Sequence, residues 1–349
     1  MNNQVNTTQP DISGMKRVLR PQGEWEWPIA VYLYLAGMGG GAFAVGLLTY
    51  WLVHPDIPSA GMLLWGPLLV ALGAPFLILD LGKKTRFINA AFNPWSSWAA
   101  RGFVILSSLI VTGLLSFALA LLPDLLPALG MEVPMWMVSH PALVRTVEII
   151  ALALSFATGA YTGVFLKSVR YVSLWNTWAL PALFSASALS TGAMALIVFL
   201  LGSGLAVDNQ NLVNLTHTLI PVELGLIVVE GAALGWLLAA LRRAGQTPAH
   251  TIRHIGIKSS PSLVLALVLL VVALLGPSPS GASTGVYASL VFVSGALVLA
   301  GGFLLRHDFV KTGTKDEHPL HKMASLQYDW KTLAQPRGPG SQPEGPRDG

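Results

Sequence analysis

The sequence contains no cysteine among its 349 residues. Cysteine thiolates form disulfide bonds and are the ligands of most iron–sulfur clusters. The absence of cysteine therefore excludes disulfides from this chain. It also excludes an iron–sulfur cluster whose cysteine ligands belong to this chain.

Charged residues are also scarce, at 11% of the sequence against about a quarter in a typical soluble domain. Hydrophobic residues make up 53%, and the mean hydropathy is +0.60. About 20 apolar residues span a bilayer as a helix, so we predict an all-α membrane protein with eight transmembrane helices. The eight apolar segments are 28–53, 60–80, 102–122, 142–166, 179–201, 217–241, 261–276 and 284–305.

The two ends of the chain lack long apolar runs. Residues 1–24 have no apolar core of the kind found in a cleavable signal peptide, so we expect the first membrane helix to direct insertion. The tail from about residue 312 is rich in Pro, Gly and charge, which predicts disorder. The chain is accordingly divided into 1–24, 25–166, 167–306 and 307–349.

A weak internal repeat accounts for the division at residue 166. Pro28 is followed eleven residues later by Gly39, and Pro181 is followed at the same interval by Gly192. This spacing suggests two parallel four-helix halves. The alternative is chance similarity between membrane helices that are rich in Gly and Ala.

Positive charge is nearly absent from one side of the predicted topology. Of the 21 Lys and Arg residues, Arg145 alone falls on the side opposite to the two termini. Cytoplasmic loops carry an excess of Lys and Arg, so we expect both termini in the cytoplasm and the chain in the inner (cytoplasmic) membrane. This distribution also supports an even number of helices.

Histidine is missing from the middle of every predicted span. We therefore expect no haem held by two histidines in the membrane, and no cluster has the spacing of metal ligands. We predict neither haem nor a metal ion in this chain. The eight histidines are His54, His140, His217, His250, His254, His307, His318 and His321.

Asp80 ends the second apolar segment, where an acidic side chain opposes the helix macrodipole. One interpretation is an interfacial ion pair with Lys83 or Lys84, three and four residues further on. The other is a functional carboxylate that is compensated by Arg101 at the start of the third segment. Ionisable groups in membrane helices are functional candidates by default, which favours the second interpretation.

Glu148, Ser155 and Thr162 follow one another at intervals of seven residues in the fourth segment. This spacing places them on nearly one face of a helix. The stripe predicts a partial proton path. The alternative is that the Ser and Thr hydroxyls bond back to their own helix.

Glu223 and Glu230 repeat this spacing in the sixth segment. Two carboxyl groups about 10 Å apart along an apolar helix are costly in a membrane unless they have a role or a partner. They suit proton uptake or relay. The alternative is a neutral carboxyl group that is bonded to a neighbouring helix.

Six stretches together resemble the NrfD/PsrC family of haem-free membrane subunits, and the resemblance covers most of residues 25–305. They are WEWPIAVYLYLAGMGGGAFA in the first helix, LDLGKKTRF closing the second, SSWAARG opening the third, GAYTGVFLKSV ending the fourth, LPALFSASALSTGAMA in the fifth and HTLIPVELGLIVVEGAAL in the sixth.

The resemblance implies a subunit that exchanges electrons between a membrane quinone and a partner iron–sulfur subunit of the four-cluster ferredoxin type. The quinone would be menaquinone or ubiquinone. That partner usually connects to a molybdopterin oxidoreductase. Tyr32 and Tyr161 match the positions of the quinone pocket. Asp80 and Arg101 match the family's D-L-G and S-x-x-x-R-G motifs, with Asp80 as the expected proton carrier. Some relatives have a glutamate where this chain has Leu226.

Two other functions remain open at this stage. A proton-coupled transporter or channel could use Asp80, Glu148, Glu223 and Glu230. A purely structural anchor could tether an enzyme without contacting quinone. A transporter would function as a lone chain, whereas an anchor requires the enzyme that it tethers. For every function considered we expect contact with membrane lipid and not with nucleic acid.

Overall fold

The computed structural model describes residues 18–21, 27–52, 60–80, 97–135, 137, 141–169, 172, 174–245, 249–281 and 283–317. Eight long helices and two short strands lie within these ranges. The helices are α1 (Trp27–Leu52), α2 (Ala60–Asp80), α3 (Trp98–Ala128), α4 (Pro141–Lys167), α5 (Ala179–Ala206), α6 (Gln210–Ala244), α7 (Ala249–Leu275) and α8 (Ser283–Lys311).

These helices confirm the predicted all-α membrane architecture. Seven of them are long and apolar enough to cross a bilayer, and α2 contributes a shorter apolar stretch, Gly61–Leu77, within the described residues. Several helices extend beyond the apolar segments, most of all α7, which begins at Ala249 instead of residue 261. Hydropathy detects only the part of a helix that lies in hydrocarbon, so it does not predict the polar ends of the helix.

Local sequence signals determine where α3 begins and where α6 begins and ends. Ser97 caps α3, since its hydroxyl accepts a hydrogen bond from the backbone N–H of Ala100 at 3.1 Å. The Asn209 side chain accepts from the first backbone N–H groups of α6. Gly245 ends α6 in the left-handed conformation, with φ of 63°, which glycine adopts at low cost.

Helices α1 and α5 form the centre of the bundle. Most of their side chains are buried, and each contacts the other as well as α4 and α8. They cross where Gly41 of α1 meets the backbone of α5 at Ala188 and where Gly192 of α5 meets Ala42. A Cβ at either glycine would overlap backbone atoms of the other helix, so only glycine permits this close approach.

The two glycines of the suggested repeat have different neighbours. Gly39 lies against Gly66 and Val70 of α2, whereas Gly192 lies against α1. Glycine is needed at both positions because helices approach closely there. The common interval of eleven residues therefore does not correspond to equivalent places in the bundle.

A two-stranded antiparallel sheet joins the two ends of the described chain. Strand β1 (Val18–Pro21) pairs with β2 (Thr314–Glu317), with Val18 opposite Glu317. The sequence predicted disorder from about residue 312, and this prediction is corrected up to Glu317. The strand has a pairing partner almost three hundred residues away, which local composition cannot reveal. Residues 1–17 and 318–349 lie outside the described residues.

The sheet also defines the two ends of the bundle. Strand β1 precedes α1, and β2 follows α8. The end that holds β1 and β2 is called the termini end below. The end that holds the last turn of α1 and the first turn of α4 is called the opposite end.

Candidate functional site

Tyr32 and Tyr161 meet in the interior of the bundle towards the termini end. Tyr32 of α1 and Tyr161 of α4 are both buried, and their hydroxyl groups lie close enough to interact. Among the described residues, neither hydroxyl has a hydrogen-bond partner of good geometry. Buried polar groups are almost always hydrogen-bonded in proteins, so this tyrosine pair is suited to binding a ligand with polar oxygens.

Gly102 of α3 makes room for the tyrosine pair. A Cβ at this position would overlap the Tyr161 hydroxyl and its ring. The Tyr161 ring also packs against Phe165 one turn along α4, with ring centroids 5.7 Å apart. Gly102 of the SSWAARG stretch is therefore in direct contact with Tyr161 of the GAYTGVFLKSV stretch. Both stretches belong to the family resemblance, which by itself does not show that they meet.

Arg101 and Asp80 lie at the same end of the bundle as the tyrosine pair. The Arg101 guanidinium carbon lies 4.6 Å from the centroid of the Trp98 ring, a cation–π contact. Asp80 is the last residue of α2. One turn earlier, Phe76 packs against Trp27 at the start of α1, with ring centroids 6.2 Å apart. The Asp80 side chain lies outside the described residues, so its pairing with Arg101 stays a prediction.

Glu148 lies at the opposite end of the bundle and has well-defined partners there. Its Oε2 accepts a hydrogen bond from Trp51 Nε1 at 2.8 Å and lies 3.3 Å from Arg145 Nη1. The Arg145 guanidinium carbon lies 4.5 Å from the centroid of the Trp51 ring. The three side chains thus connect the end of α1 to the start of α4. Arg145, which alone among the Lys and Arg residues was predicted on this side, takes part in this contact.

We expect Trp51→Phe to destabilise the protein by about 1–3 kcal/mol. The substitution keeps an aromatic ring under Arg145 but removes the N–H donor to a buried carboxylate. The thermal midpoint of the purified protein should fall, as measured by loss of the monodisperse peak in size-exclusion chromatography. The control is Trp236→Phe, since Trp236 is exposed on α6. Equal midpoints for the two variants would contradict a stabilising role for this bond.

Ser155 and Thr162 form hydrogen bonds within their own helix. Ser155 Oγ donates to the carbonyl oxygen of Leu152 at 2.7 Å, and Thr162 Oγ1 donates to that of Gly159 at 2.8 Å. This is the alternative that the sequence left open beside a proton path. A path through α4 stays a prediction, and these contacts do not add support to it.

Glu223 and Glu230 are buried between α5 and α6. Ser190 Oγ of α5 donates to Glu223 Oε1 at 2.9 Å. The hydroxyls of Ser187 and Ser190 both lie beside the Glu230 carboxyl group. The four side chains form a polar group within the otherwise apolar helices, and we call them the carboxyl cluster.

Arg306 completes the carboxyl cluster and was missed by sequence reasoning. The last apolar segment ends at Leu305, but α8 continues to Lys311. Its guanidinium is fully buried, and Nη1 donates to Ser187 Oγ at 3.0 Å. One signal could have indicated that the helix continues: Arg306 directly follows the last apolar segment, and no Gly or Pro separates the two.

Comparison with known protein families identifies the family of this chain. The sequence profile described as "Polysulphide reductase, NrfD" matches residues 18–314. The chain belongs to the NrfD family. The matched region begins at β1 and reaches β2, so it includes the tyrosine pair, the carboxyl cluster and every described helix.

Three curated members of the NrfD family are similar to this chain. The C subunit of polysulfide reductase from Wolinella succinogenes is 31% identical over 208 residues, which cover 54% of this chain and 62% of that protein. Protein NrfD of Escherichia coli is 29% identical over 191 residues, 50% of this chain and 58% of that protein. The NrfD homolog of Haemophilus influenzae is 27% identical over 231 residues, 60% of this chain and 70% of that protein.

The similarity to the first two relatives is therefore partial. The chain spans about three fifths of their length, 62% and 58%. Within the part of the chain that the structure describes, no group of three or more His, Asp or Glu side chains is placed to hold a metal ion.

Proposed function

We propose that this protein is the membrane subunit of an oxidoreductase complex and exchanges electrons and protons between a membrane quinone and an iron–sulfur partner. Membership of the NrfD family and the names of the relatives support the membrane subunit of such a complex. The tyrosine pair carries the quinone part of the proposal. It offers two buried hydroxyls that lie beside each other and, among the described residues, have no hydrogen-bond partner of good geometry.

The residues around the tyrosine pair fit the chemistry of a quinone. A quinone takes up two electrons and two protons to become a quinol. Its two carbonyl oxygens accept hydrogen bonds, and the Tyr32 and Tyr161 hydroxyls can donate them. Asp80 at the end of α2 would hold and transfer a proton at its carboxyl group. The Arg101 guanidinium would stabilise the charged form of that carboxyl group.

The electrons require a partner protein. The sequence has no cysteine, so a cysteine-ligated cluster must belong to another protein. An iron–sulfur subunit of the four-cluster ferredoxin type, connected to a molybdopterin oxidoreductase, would dock at the termini end, beside the tyrosine pair. By the positive-inside rule that end would face the cytoplasm, with the chain in the inner membrane.

The packing of the helices supports two four-helix halves. Consecutive helices from α1 to α4 contact one another, and α4 returns to α1; α5 to α8 close in the same way. The tyrosine pair lies in the first half, and the carboxyl cluster lies in the second. Transmembrane proton movement would then use Glu223 and Glu230, with the Glu148 stripe as a second possible route.

The proposal predicts a loss of about tenfold in quinone turnover for Tyr161→Phe. The substitution removes one hydrogen bond to the bound quinone, worth about 1.4 kcal/mol, and leaves the ring packed on Phe165. The measurement is the rate of quinol oxidation by the purified complex. Tyr50→Phe is the control, since Tyr50 lies at the opposite end of the bundle. A rate equal to that of the control would contradict quinone binding at the tyrosine pair.

Proton-coupled transport is the second candidate function, and the buried carboxyl cluster favours it. This function needs no partner subunit. The discriminating experiment is gentle purification of the tagged protein after crosslinking in its native membrane, followed by mass spectrometry. An iron–sulfur protein with a molybdopterin subunit supports the redox function, whereas a solitary chain supports transport.

A further inference from the structure

Arg306 brings a permanent positive charge into the interior of the bundle. A guanidinium stays protonated in proteins under all ordinary conditions. Besides its bond to Ser187, Nη1 donates to the carbonyl oxygen of Gly302 at 2.8 Å. The rings of Tyr34 and Phe184 each have their centroid 5.5 Å from the guanidinium carbon. These neutral neighbours solvate the charge but do not balance it, so a carboxylate must.

Two buried carboxyl groups come into question to balance Arg306. Asp308 of α8 lies 3.9 Å from His254 and 3.5 Å from His307, whereas Glu230 lies beside Ser187, the hydrogen-bond partner of Arg306. The Arg306 and Glu230 side chains are not in direct contact, but Ser187, whose Oγ accepts the hydrogen bond from Arg306 Nη1, also lies beside the Glu230 carboxyl group. Ser187 Oγ accepts its hydrogen bond from Arg306, which leaves the hydroxyl proton free to be donated to Glu230. The serine thus links a cation to an anion through one oxygen atom.

Glu223 has no cation of its own to balance it. It lies seven residues before Glu230 on α6, about 10 Å along the helix axis. Among the described side chains that are fully buried, Arg306 is the one that carries a positive charge. Its charge cannot balance two carboxylates at once. A second buried carboxylate would be costly, so Glu223 is stable there as a neutral carboxyl group.

We propose that Arg306 and Glu230 form a fixed internal ion pair bridged by Ser187, and that Glu223 is the carboxyl group of this cluster that carries a proton. The sequence alone predicted the same proton role for both glutamates. Arg306 is then a positioning residue, which keeps Glu230 ionised and leaves the proton on Glu223. The part of this proton in quinone turnover rests on the proposed function, whereas the distribution of charge does not.

Isosteric substitutions separate the two glutamates. Glutamine resembles a neutral carboxyl group, so Glu223→Gln should leave the thermal midpoint of the purified complex within about 2 °C of wild type. Glu230→Gln leaves Arg306 without its counter-charge and should remove most of the monodisperse protein. The double variant Arg306→Gln with Glu230→Gln is neutral again and should recover it. Equal effects of the two single substitutions, or a larger effect of Glu223→Gln, would overturn the assignment.

Infrared spectroscopy tests the same charge distribution without relying on stability. Arg306→Gln removes the cation that keeps Glu230 ionised, so the spectrum should gain a carbonyl band of a protonated carboxyl group. The same band should be missing from the double variant that also carries Glu230→Gln. Spectra of the two variants without this difference would refute the ion pair.

Both measurements are made without quinone, so their outcome is independent of quinone turnover. If the charges are as proposed but turnover by the complex is not detected, the proposed function fails alone. If turnover is normal but neither the stability order nor the band is found, the ion pair fails alone. Arg306→Lys serves as the matched variant, since it keeps the charge and should keep the wild-type carboxyl bands.

Discussion

Replacing Asp80 with asparagine is expected to abolish quinone turnover while the complex still assembles. The substitution keeps the size and hydrogen-bonding capacity of the side chain but removes the group that can hold and release a proton. Positioned general acids and bases contribute about 10² to 10⁴-fold to rates, so the residual turnover should be at most about 1%. The measurement is quinol oxidation by the purified complex, normalised to the amount of partner subunit that is recovered.

The location of Asp80 makes this expectation specific. The contact between Phe76 and Trp27 brings the last turn of α2 to the start of α1, on the same end of the bundle as the tyrosine pair. Asp124→Asn is the matched control, because Asp124 is exposed on α3 near the opposite end. Normal turnover in Asp80→Asn would defeat the proton role, and loss of turnover in both variants would show that the effect is not local.

Replacing Gly192 with valine is expected to prevent folding of the protein. A side chain at this position overlaps backbone atoms of Gly41 and Ala42 at the crossing of α1 and α5. Backbone atoms in the centre of a bundle cannot move aside as a flexible side chain can, so the cost should be at least about 3 kcal/mol. The expected result is little or no monodisperse protein after solubilisation, measured against wild type expressed in parallel.

A second glycine supplies the control for this substitution. Gly225 of α6 is exposed, and a Cβ built on it meets nothing within 4 Å. Gly225→Val should therefore yield monodisperse protein at close to the wild-type level. If Gly192→Val does so as well, the helices can separate at the crossing without loss of the fold. The proposed central role of α1 and α5 would then be wrong.

Much of the candidate site could be predicted from residue patterns and family resemblance. The motifs paired Tyr32 with Tyr161, and the structure places their hydroxyls together beside Gly102. The spacing of Glu223 and Glu230 predicted that they share one face of α6, and both are buried. In each case a motif or a short spacing along the chain was enough to identify the residue. The tertiary structure then showed which other side chains it contacts.

The missed residue shows where such reasoning ends. Arg306 directly follows the last apolar segment and was counted only among the Lys and Arg residues on the side of the termini. Its burial depends on Ser187, Tyr34 and Phe184, which come from two other helices. Glu148 is a related case, since its bond to Trp51 joins residues 97 positions apart. Neither contact leaves a periodic signal in the chain.

Composition and residue order were enough to establish a membrane protein of long helices, because transfer of apolar residues out of water acts on each segment independently. They were also enough to suggest the family, and the NrfD profile that matches residues 18–314 confirms it. Which polar groups meet depended on how the helices pack: the tyrosine pair, the contact of Trp51, Arg145 and Glu148, and Arg306 within the carboxyl cluster. The physical reason is that a buried polar group is stable only with partners, and those partners come from other helices.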